Sequence, residues 1–252
     1  MGKMKDLISA VGRDDYLPPV ITPLHNQWLA AGGRYTPEAV DIITEQMRKD
    51  WLDGSDRSDG SHRVRPSMLN GCLRKQRLSF LGAPSMPPDV RSRAFFSSGH
   101  FGHYRWQLGG LSAGWLSEIE VPVSTDYGLI GSADGKCFDG SVFELKTTNG
   151  QTLSKARFGN APVNGNELQS AGYADAFGTE FVSIIYEGRE WLNFIEIRFR
   201  VTQELIERVR STCEAVSDVS TDIRPLSACL SQTGSTFNGC QFRNSCHPME
   251  YA

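Results

Sequence analysis

Asp134, Glu144 and Lys146 are the residues of this chain whose types and spacing can do chemistry together. They fall in the stretch Gly131-Ser-Ala-Asp134-Gly-Lys-Cys-Phe-Asp-Gly-Ser-Val-Phe-Glu144-Leu-Lys146. Asp139-Gly140 is a strong hairpin signal, so the stretch reads as two short strands joined by a tight turn. Side chains alternate along a strand, which puts Glu144 and Lys146 on one face and Phe143 and Leu145 on the other, toward a core. The returning strand lets Asp134 face Glu144. Two carboxylates that close repel unless a cation sits between them, and hard oxygen ligands favour Mg²⁺ or Mn²⁺. A lysine beside such an ion can orient or activate a water.

The flanking elements must hold these groups in place. Upstream, a helix over about 93–111 contains Gly99-His100-Phe101-Gly102-His103-Tyr104. Its glycines permit close approach of another backbone, and either histidine can join the carboxylates. His103 is preferred because it lies deeper in the helix, three residues before Trp106. A strand over 115–123 follows, with Leu116, Ile119 and Val121 inward and Glu118 and Glu120 on the opposite face. Downstream, 147–163 reads as a long polar loop carrying Lys155 and Arg157. A helix over 166–177 ends at Gly178 and places Gln169 and Tyr173 on one face, since they are four residues apart. Strands over 181–186 and 191–199 and a helix over 202–216 complete an α/β (α+β) pattern of a central mixed sheet flanked by helices.

The remainder of the chain frames this core. Residues 1–35 read as an extended arm with Leu17-Pro18-Pro19 and Thr22-Pro23. Thr36-Pro37 starts a helix that runs to about Leu52, and 53–62 is a polar linker. A further helix is expected from Ser67 to Leu81, stopped by Gly82. The spacing thus predicts an N-terminal arm, helix and linker (1–62), a core (63–217) and a cysteine-rich segment (218–252). There is no internal repeat and no Walker A pattern. At 252 residues, with 39% hydrophobic and 10% aromatic content, the chain can bury a proper core. No apolar run is long enough for a membrane span and the first residues carry no signal-peptide core, so no membrane association and a cytoplasmic location are expected. Net charge is only −3, yet residues 63–105 carry Arg63, Arg65, Arg74, Lys75, Arg77, Arg91, Arg93 and Arg105 against Asp89 alone. Such a local basic face is an electrostatic footprint for phosphates.

Six cysteines in a reducing compartment are reduced, metal-bound or buried. Cys137, at the hairpin, and Cys213, on a helix face, read as packing thiols. Cys229, Cys240 and Cys246 lie in a tail too poor in apolar residues to fold alone, and a metal or cluster would supply the missing stabilisation. Three thiolates leave a four-ligand site one short, and Cys72 completes it if the tail folds back. Iron–sulfur and zinc both remain open on these residues.

The order His103, Gly131-x2-Asp134, Glu144-x-Lys146 and Gln169-x3-Tyr173 resembles the PD-(D/E)xK nucleases of the RecB-like branch. One cysteine before that core and three after it are similar to the iron–sulfur members of that branch, which include CRISPR-adaptation, AddB-type and phage exonucleases. The resemblance covers about 67–247. It departs at Cys229 and Cys240, which are separated by ten residues where that family pairs them as Cys-x2-Cys, while the Cys240-x5-Cys246 step matches. The resemblance implies a restriction-endonuclease-like fold and a metal held by His103, Asp134, Glu144 and the carbonyl of Leu145. It implies that Asp134, Glu144 and Lys146 are catalytic, with Lys146 on the attacking water, and that Gln169 and Tyr173 contact DNA or brace the site. It further implies a [4Fe–4S] cluster, or zinc in its place, on Cys72, Cys229, Cys240 and Cys246, which would set Arg74, Lys75 and Arg77 along the path of the strand. The implied activity is metal-dependent hydrolysis of single-stranded DNA or DNA ends in recombination, repair or replication, with protein partners in recombination or CRISPR adaptation. The alternative is an accessory subunit that binds DNA ends without turnover.

Overall fold

On the strand after the hairpin turn, Phe143 and Leu145 face one way and Val142 and Glu144 the other, and all four side chains are buried. That strand therefore lies inside a sheet covered on both faces. The structure is a computed structural model that describes residues 15–52, 62–224, 229 and 238–246. Six strands form one sheet: β1 (Tyr16–Leu17), β2 (Leu116–Ser124), β3 (Ile130–Cys137), β4 (Val142–Thr148), β5 (Phe181–Gly188) and β6 (Phe194–Arg200), in the order β1-β6-β5-β4-β3-β2. Only the β4–β5 pair is parallel, so the sheet is mixed. The parallel step requires a crossover, which two helices supply: α5 (Gly150–Gly159) and α6 (Asn166–Phe177). No helix among the described residues is long and apolar enough to cross a membrane.

One face packs against α6 and α7 (Gln203–Ser217) through Leu129, Val142, Ala171, Ile184, Leu205 and Val209. The other packs against α1 (Ile21–Ala30) and α4 (Val90–Ala113) through Ile21, Trp106, Trp115, Phe143, Leu145 and Ile185. Cys137 and Cys213 are buried in these two cores, as expected of packing thiols. Helix α2 (Pro37–Leu52) lies over α4, and Tyr104 of α4 donates a hydrogen bond to Asp50 (2.8 Å). Among the described residues two further α-helices are α3 (Leu73–Phe80) and the short α8 (Arg243–Cys246).

Three expectations are corrected. Residues 21–30 are helical, although Val20 offers no capping side chain. The cap comes from β6: the Glu196 carboxylate accepts the amides of Val20 (3.1 Å), Ile21 (3.2 Å) and Thr22 (2.8 Å). Pro23 has no amide to satisfy, so it is tolerated in the first turn. The polar stretch 147–163 contains α5, whose N-cap Asn149 accepts from Thr152 (2.9 Å) and which buries Leu153 and Ala156. The helix expected from Ser67 to Leu81 is two pieces, a 3₁₀ turn at Pro66–Met68 and then α3. Asn70-Gly71 breaks it, the Gly71 amide closing a turn on Met68 (2.9 Å). Cys72 is left extended at the head of α3 rather than inside a helix.

His25 of α1 stacks on Trp106 at 4.4 Å between centroids, and its Nδ1 finds no partner among the described residues. Burial, with Arg105 adding to it, lowers its pKa to about 4. In the unfolded chain the imidazole titrates near the usual ~6.5, so between those values the unfolded state binds the extra proton. Stability is therefore expected to fall as pH drops from about 6.5 to about 4, and His25→Phe is expected to flatten that part of the profile. Urea midpoints measured across the window check this; parallel profiles for the two proteins would refute it.

Candidate active site

The β3–β4 ladder holds only two pairs, Gly135–Phe143 and Lys136–Val142. Beyond them the strands part, while β3 stays paired to β2 and β4 to β5. The parting leaves backbone groups of β4 without a strand partner, and the Asp134 carboxylate takes one up, accepting the Leu145 amide at 2.7 Å. The gap opens into a cleft of about 560 Å³ between α4 and α6, lined by His100, His103, Asp134, Glu144, Lys146, Gln169 and Tyr173. The residues singled out for the active centre thus converge, and both helical histidines reach it.

Each is positioned by an identifiable contact. His103 Nδ1 lies 3.2 Å from Asp134 Oδ1. It reaches that far because Gly102 lets α4 lie on β4: a methyl group there would sit 2.7 Å from Thr147 Cγ2. Lys146 Nζ is 2.5 Å from Glu144 Oε1 and donates to Gln169 Oε1 (2.8 Å). Gln169 Nε2 donates to Glu144 Oε1 (2.8 Å) and to the Tyr173 hydroxyl (3.1 Å). Gln169 and Tyr173 are buried, so their present contacts are those of braces. Glu144 is 1% exposed and its Oε2 has no hydrogen-bond partner among the described residues.

Glu120 is the member that the sequence reading missed as a site residue. Ile119 pairs with Gly135 and Val121 with Ala133, so Glu120 stands opposite Asp134 on β2, while Glu144 lies on β4 across the parted side of β3. The three carboxylates form a row across three strands. A register shift between Leu116 and Glu118, and a backbone φ of +46° at Glu120 itself, set it there. A non-glycine residue in that region carries strain of order 1–3 kcal/mol, which the surroundings must offset. Gln107 Nε2 bridges Glu120 Oε1 and the Asp134 carbonyl, both at 2.9 Å, and Ser132 donates to Glu120 Oε2 (3.1 Å). Ligand atoms of His103, Glu120 and Asp134 all lie within 4.8 Å of one another. The sequence signal was the three-residue step from Leu116 to Ile119, which simple alternation does not allow.

The electrostatics record crowded negative charge. Burial opposes ionisation of Asp134, but His103 and Lys146 outweigh it and hold the carboxyl below its usual range. Burial raises Glu144, and Asp134 raises it further. Burial also raises Glu120, again with Asp134 adding to it. For His103 burial works against charge, yet Asp134, with Glu144 and Glu120 behind it, lifts the imidazole to about 9. Lys146 follows the same pattern, its burial overridden by Glu144 and Asp134. Glu120, Glu144, His103 and Lys146 thus record a local concentration of negative charge, while Asp134 is held ionised by the two cations beside it.

The basic residues of α3 do not face this cleft. Arg77 is buried and donates to the carbonyls of Val216 (2.5 Å), Ala215 (2.6 Å), Asp218 (2.5 Å) and Thr221 (3.3 Å) at the end of α7. Arg74 donates to the carbonyls of Cys246 (2.9 Å) and Ile223 (2.8 Å) and lies 3.7 Å from Asp222. Both are clamps, because the ends of helices and loops present carbonyls that a guanidinium satisfies several at a time. Lys75 is half-buried beside them. Arg74, Lys75 and Arg77 do not line the cleft, whereas Arg63 and Arg65 do.

The tail folds back onto α3. The Met86 amide donates to Gln241 (2.8 Å), the Ser245 hydroxyl to Pro84 (2.6 Å), and Phe242 is buried. The Cys229 thiol is raised by burial and then by Cys72, Cys240 and Cys246, and Cys72 and Cys240 also raise Cys246, so the four thiols feel one another. Among the described residues no three of these sulfurs fall within 4.8 Å.

No protein-family profile and no curated protein matches the chain. Among solved structures it is similar to an alkaline exonuclease from Laribacter hongkongensis, at 14% identity and a TM-score of 0.46, over 67% of this chain and 90% of that one. The complex of that protein with dAMP gives 14%, 0.47, 63% and 88%. The protein SSO0001 gives 15%, 0.46, 82% and 95%. Likenesses of this size carry no argument about activity.

Two substitutions check the placement. Gly102→Ala overpacks α4 against Thr147 and is expected to cost about 1–3 kcal/mol in urea unfolding, with Thr147→Ser, which removes the offending methyl, restoring part of it. Arg77→Met leaves four carbonyls without their donor and is expected to cost about 2–4 kcal/mol, against about 0.5 or less for Lys75→Met. Equal, small costs for the two would return Arg77 to the solvent-facing role.

Proposed function

We propose that this chain is a divalent-metal-dependent deoxyribonuclease of the PD-(D/E)xK type, hydrolysing phosphodiester bonds of single strands or free DNA ends. The observation that carries the reading is the row Glu120, Asp134 and Glu144 with His103 on one side and Lys146 on the other. The residues fit a hard divalent ion. The donor set is mainly oxygen with one imidazole, and among the described residues the buried Glu144 Oε2 lacks a partner, which a cation would provide. His103, Asp134, Glu144 and the Leu145 carbonyl would hold Mg²⁺ or Mn²⁺, and Glu120 would add a further carboxylate. When bound, the ion would polarise a non-bridging phosphate oxygen and lower the pKa of a water.

The chain's own groups then have separate tasks. Lys146, fixed by Glu144 and Gln169, points an ammonium into the cleft where an attacking water or a phosphate oxygen can be oriented. Tyr173 holds Gln169 from behind, and Asp134 keeps the parted strands at their spacing through the Leu145 amide. Arg63 and Arg65 at the rim supply positive charge for the backbone of the strand. The four cysteines are read as ligands of a [4Fe–4S] cluster, with zinc as the alternative. A tetrahedral zinc site draws its sulfurs to within ~4 Å of one another, given Zn–S bonds of ~2.3 Å. A cuboidal cluster spaces them more widely. Its task in this reading is structural, in a protein of DNA recombination, repair or replication.

End-labelled single-stranded DNA is expected to be digested with Mn²⁺ or Mg²⁺ and left intact with EDTA. Asp134→Asn and Glu144→Ala should each lower the rate roughly a thousandfold, the loss of several kcal/mol of charge stabilisation. Glu120→Gln should mainly raise the Mg²⁺ concentration needed. If Glu144→Ala digests as well as the parent, the active-site assignment fails. After anaerobic purification, broad visible absorbance that disappears in Cys246→Ser distinguishes the cluster from zinc.

A further inference from the structure

We infer that the outer half of α4 is a stacking platform that feeds the bases of single-stranded DNA into the metal cleft. This rests on the nuclease reading of the cleft and adds the substrate's route. None of the residues of α4 before Gly102 is buried, so about half of this 24-residue helix stands off the body. The residues along its inner edge, Ser92, Phe95, Phe96, Gly99, His100 and His103, follow a three-to-four spacing and so form one stripe ending at the active site. Opposite them lie Leu145, Lys146 and Thr147 of β4, and Arg189 after β5. Between stripe and strand runs a groove of about 760 Å³ that shares His100, His103 and Lys146 with the metal cleft.

Two large aromatics are exposed in it, Phe95 at 44% and Phe96 at 59%. Soluble proteins rarely leave adjacent aromatics open beside a catalytic cleft without a partner for them. The charge around them names that partner. Arg189 lies over the Phe95 ring at 4.8 Å and Arg91 at 5.4 Å, and Arg189 donates to the Thr147 carbonyl (3.3 Å), which anchors it beside the ring. An apolar protein surface would gain nothing from two guanidiniums there. An unpaired nucleotide offers both a π-face for the phenylalanines and a phosphate for the arginines. A duplex keeps its bases stacked on one another and cannot use the rings. From Phe96 to His103 the helix rises ~10 Å, room for about two or three nucleotides of a strand stepping ~3.4 Å each.

The test uses the full chain, without divalent metal so that no turnover occurs, and fluorescence anisotropy with labelled oligothymidylate. Phe95→Ala/Phe96→Ala is expected to weaken binding about tenfold, while Phe95→Trp/Phe96→Trp retains it. An abasic oligomer of the same length should bind the parent about tenfold more weakly than oligothymidylate, and the double alanine variant should bind it no worse than the parent does. Arg189→Ala should lower the slope of log affinity against log salt by about one. The melting temperature of the double alanine variant should match that of the parent. Unchanged oligothymidylate binding in that variant, or an equal loss on intact and abasic strands, would overturn the platform. Absence of DNA cleavage by the parent protein would instead sink the nuclease reading, since the binding measurement requires no chemistry.

Discussion

The parting of β3 from β4 is the constraint on which the rest of this molecule depends. A sheet that paired these strands to their ends would place Asp134 and Glu144 side by side with no room for a third body. Here the ladder stops after two pairs, and the Asp134 carboxylate replaces the missing carbonyl by accepting the Leu145 amide. One side chain thus holds the gap at a fixed width and presents its other oxygen to His103. The helices fit themselves to that gap. Gly102 brings α4 down onto β4 from one face, and α6 delivers Gln169 to the carboxylate and the ammonium from the other. The concentration of negative charge is a consequence of this geometry. Three acids occupy neighbouring positions on three strands, and the groups around them shift their proton affinities in answer.

What could be read in the sequence was what is encoded locally. The Asp139-Gly140 turn, the alternation from Val142 to Lys146 and the Gln169–Tyr173 spacing depend on neighbours a few residues away, and the structure has them as expected. The elements that escaped are specified from a distance. Helix α1 lacks a local cap because its cap is Glu196, 176 positions from Val20. Glu120 was placed only on the face opposite Ile119 and Val121, because period-two alternation says nothing about the positive φ that turns the strand there. Asn149 did signal α5, but a short helix with two buried residues has little periodicity to show.

The arginines make the same point about charge. A composition count sees one basic segment from Arg63 to Arg105, whereas the fold divides it by task. Arg74 and Arg77 close backbone carbonyls, Arg105 meets the buried Glu187 carboxylate, and Arg93 bonds the Pro88 carbonyl at the head of α4. Arg63, Arg65, Arg91 and Arg189 remain on the surfaces that border the cleft and its groove. A guanidinium has five donors and a long stem, so it serves a bundle of carbonyls as readily as a phosphate, and sequence alone does not say which.

The same clamps decide how the cysteine segment can influence the chemistry. No cysteine lines the cleft, so any effect of the tail on it must pass through packing. The route is short. Arg74 ties the tail to α3 through the Cys246 carbonyl, and Arg77 ties α3 to the end of α7. Helix α7 packs on α6 through Val209, which lies against Gly172, one residue before Tyr173. A cation or cluster that gathered the four thiols would therefore fix α3, and through α7 the helix that holds Gln169 on Lys146 and Glu144. Loosening the tail would first relax the brace on the lysine and leave the row of carboxylates, which the strands themselves define, in place. Were a metal centre held at the cysteines, it would act on how firmly α6 is held, whereas the carboxylates of the cleft are placed by the sheet.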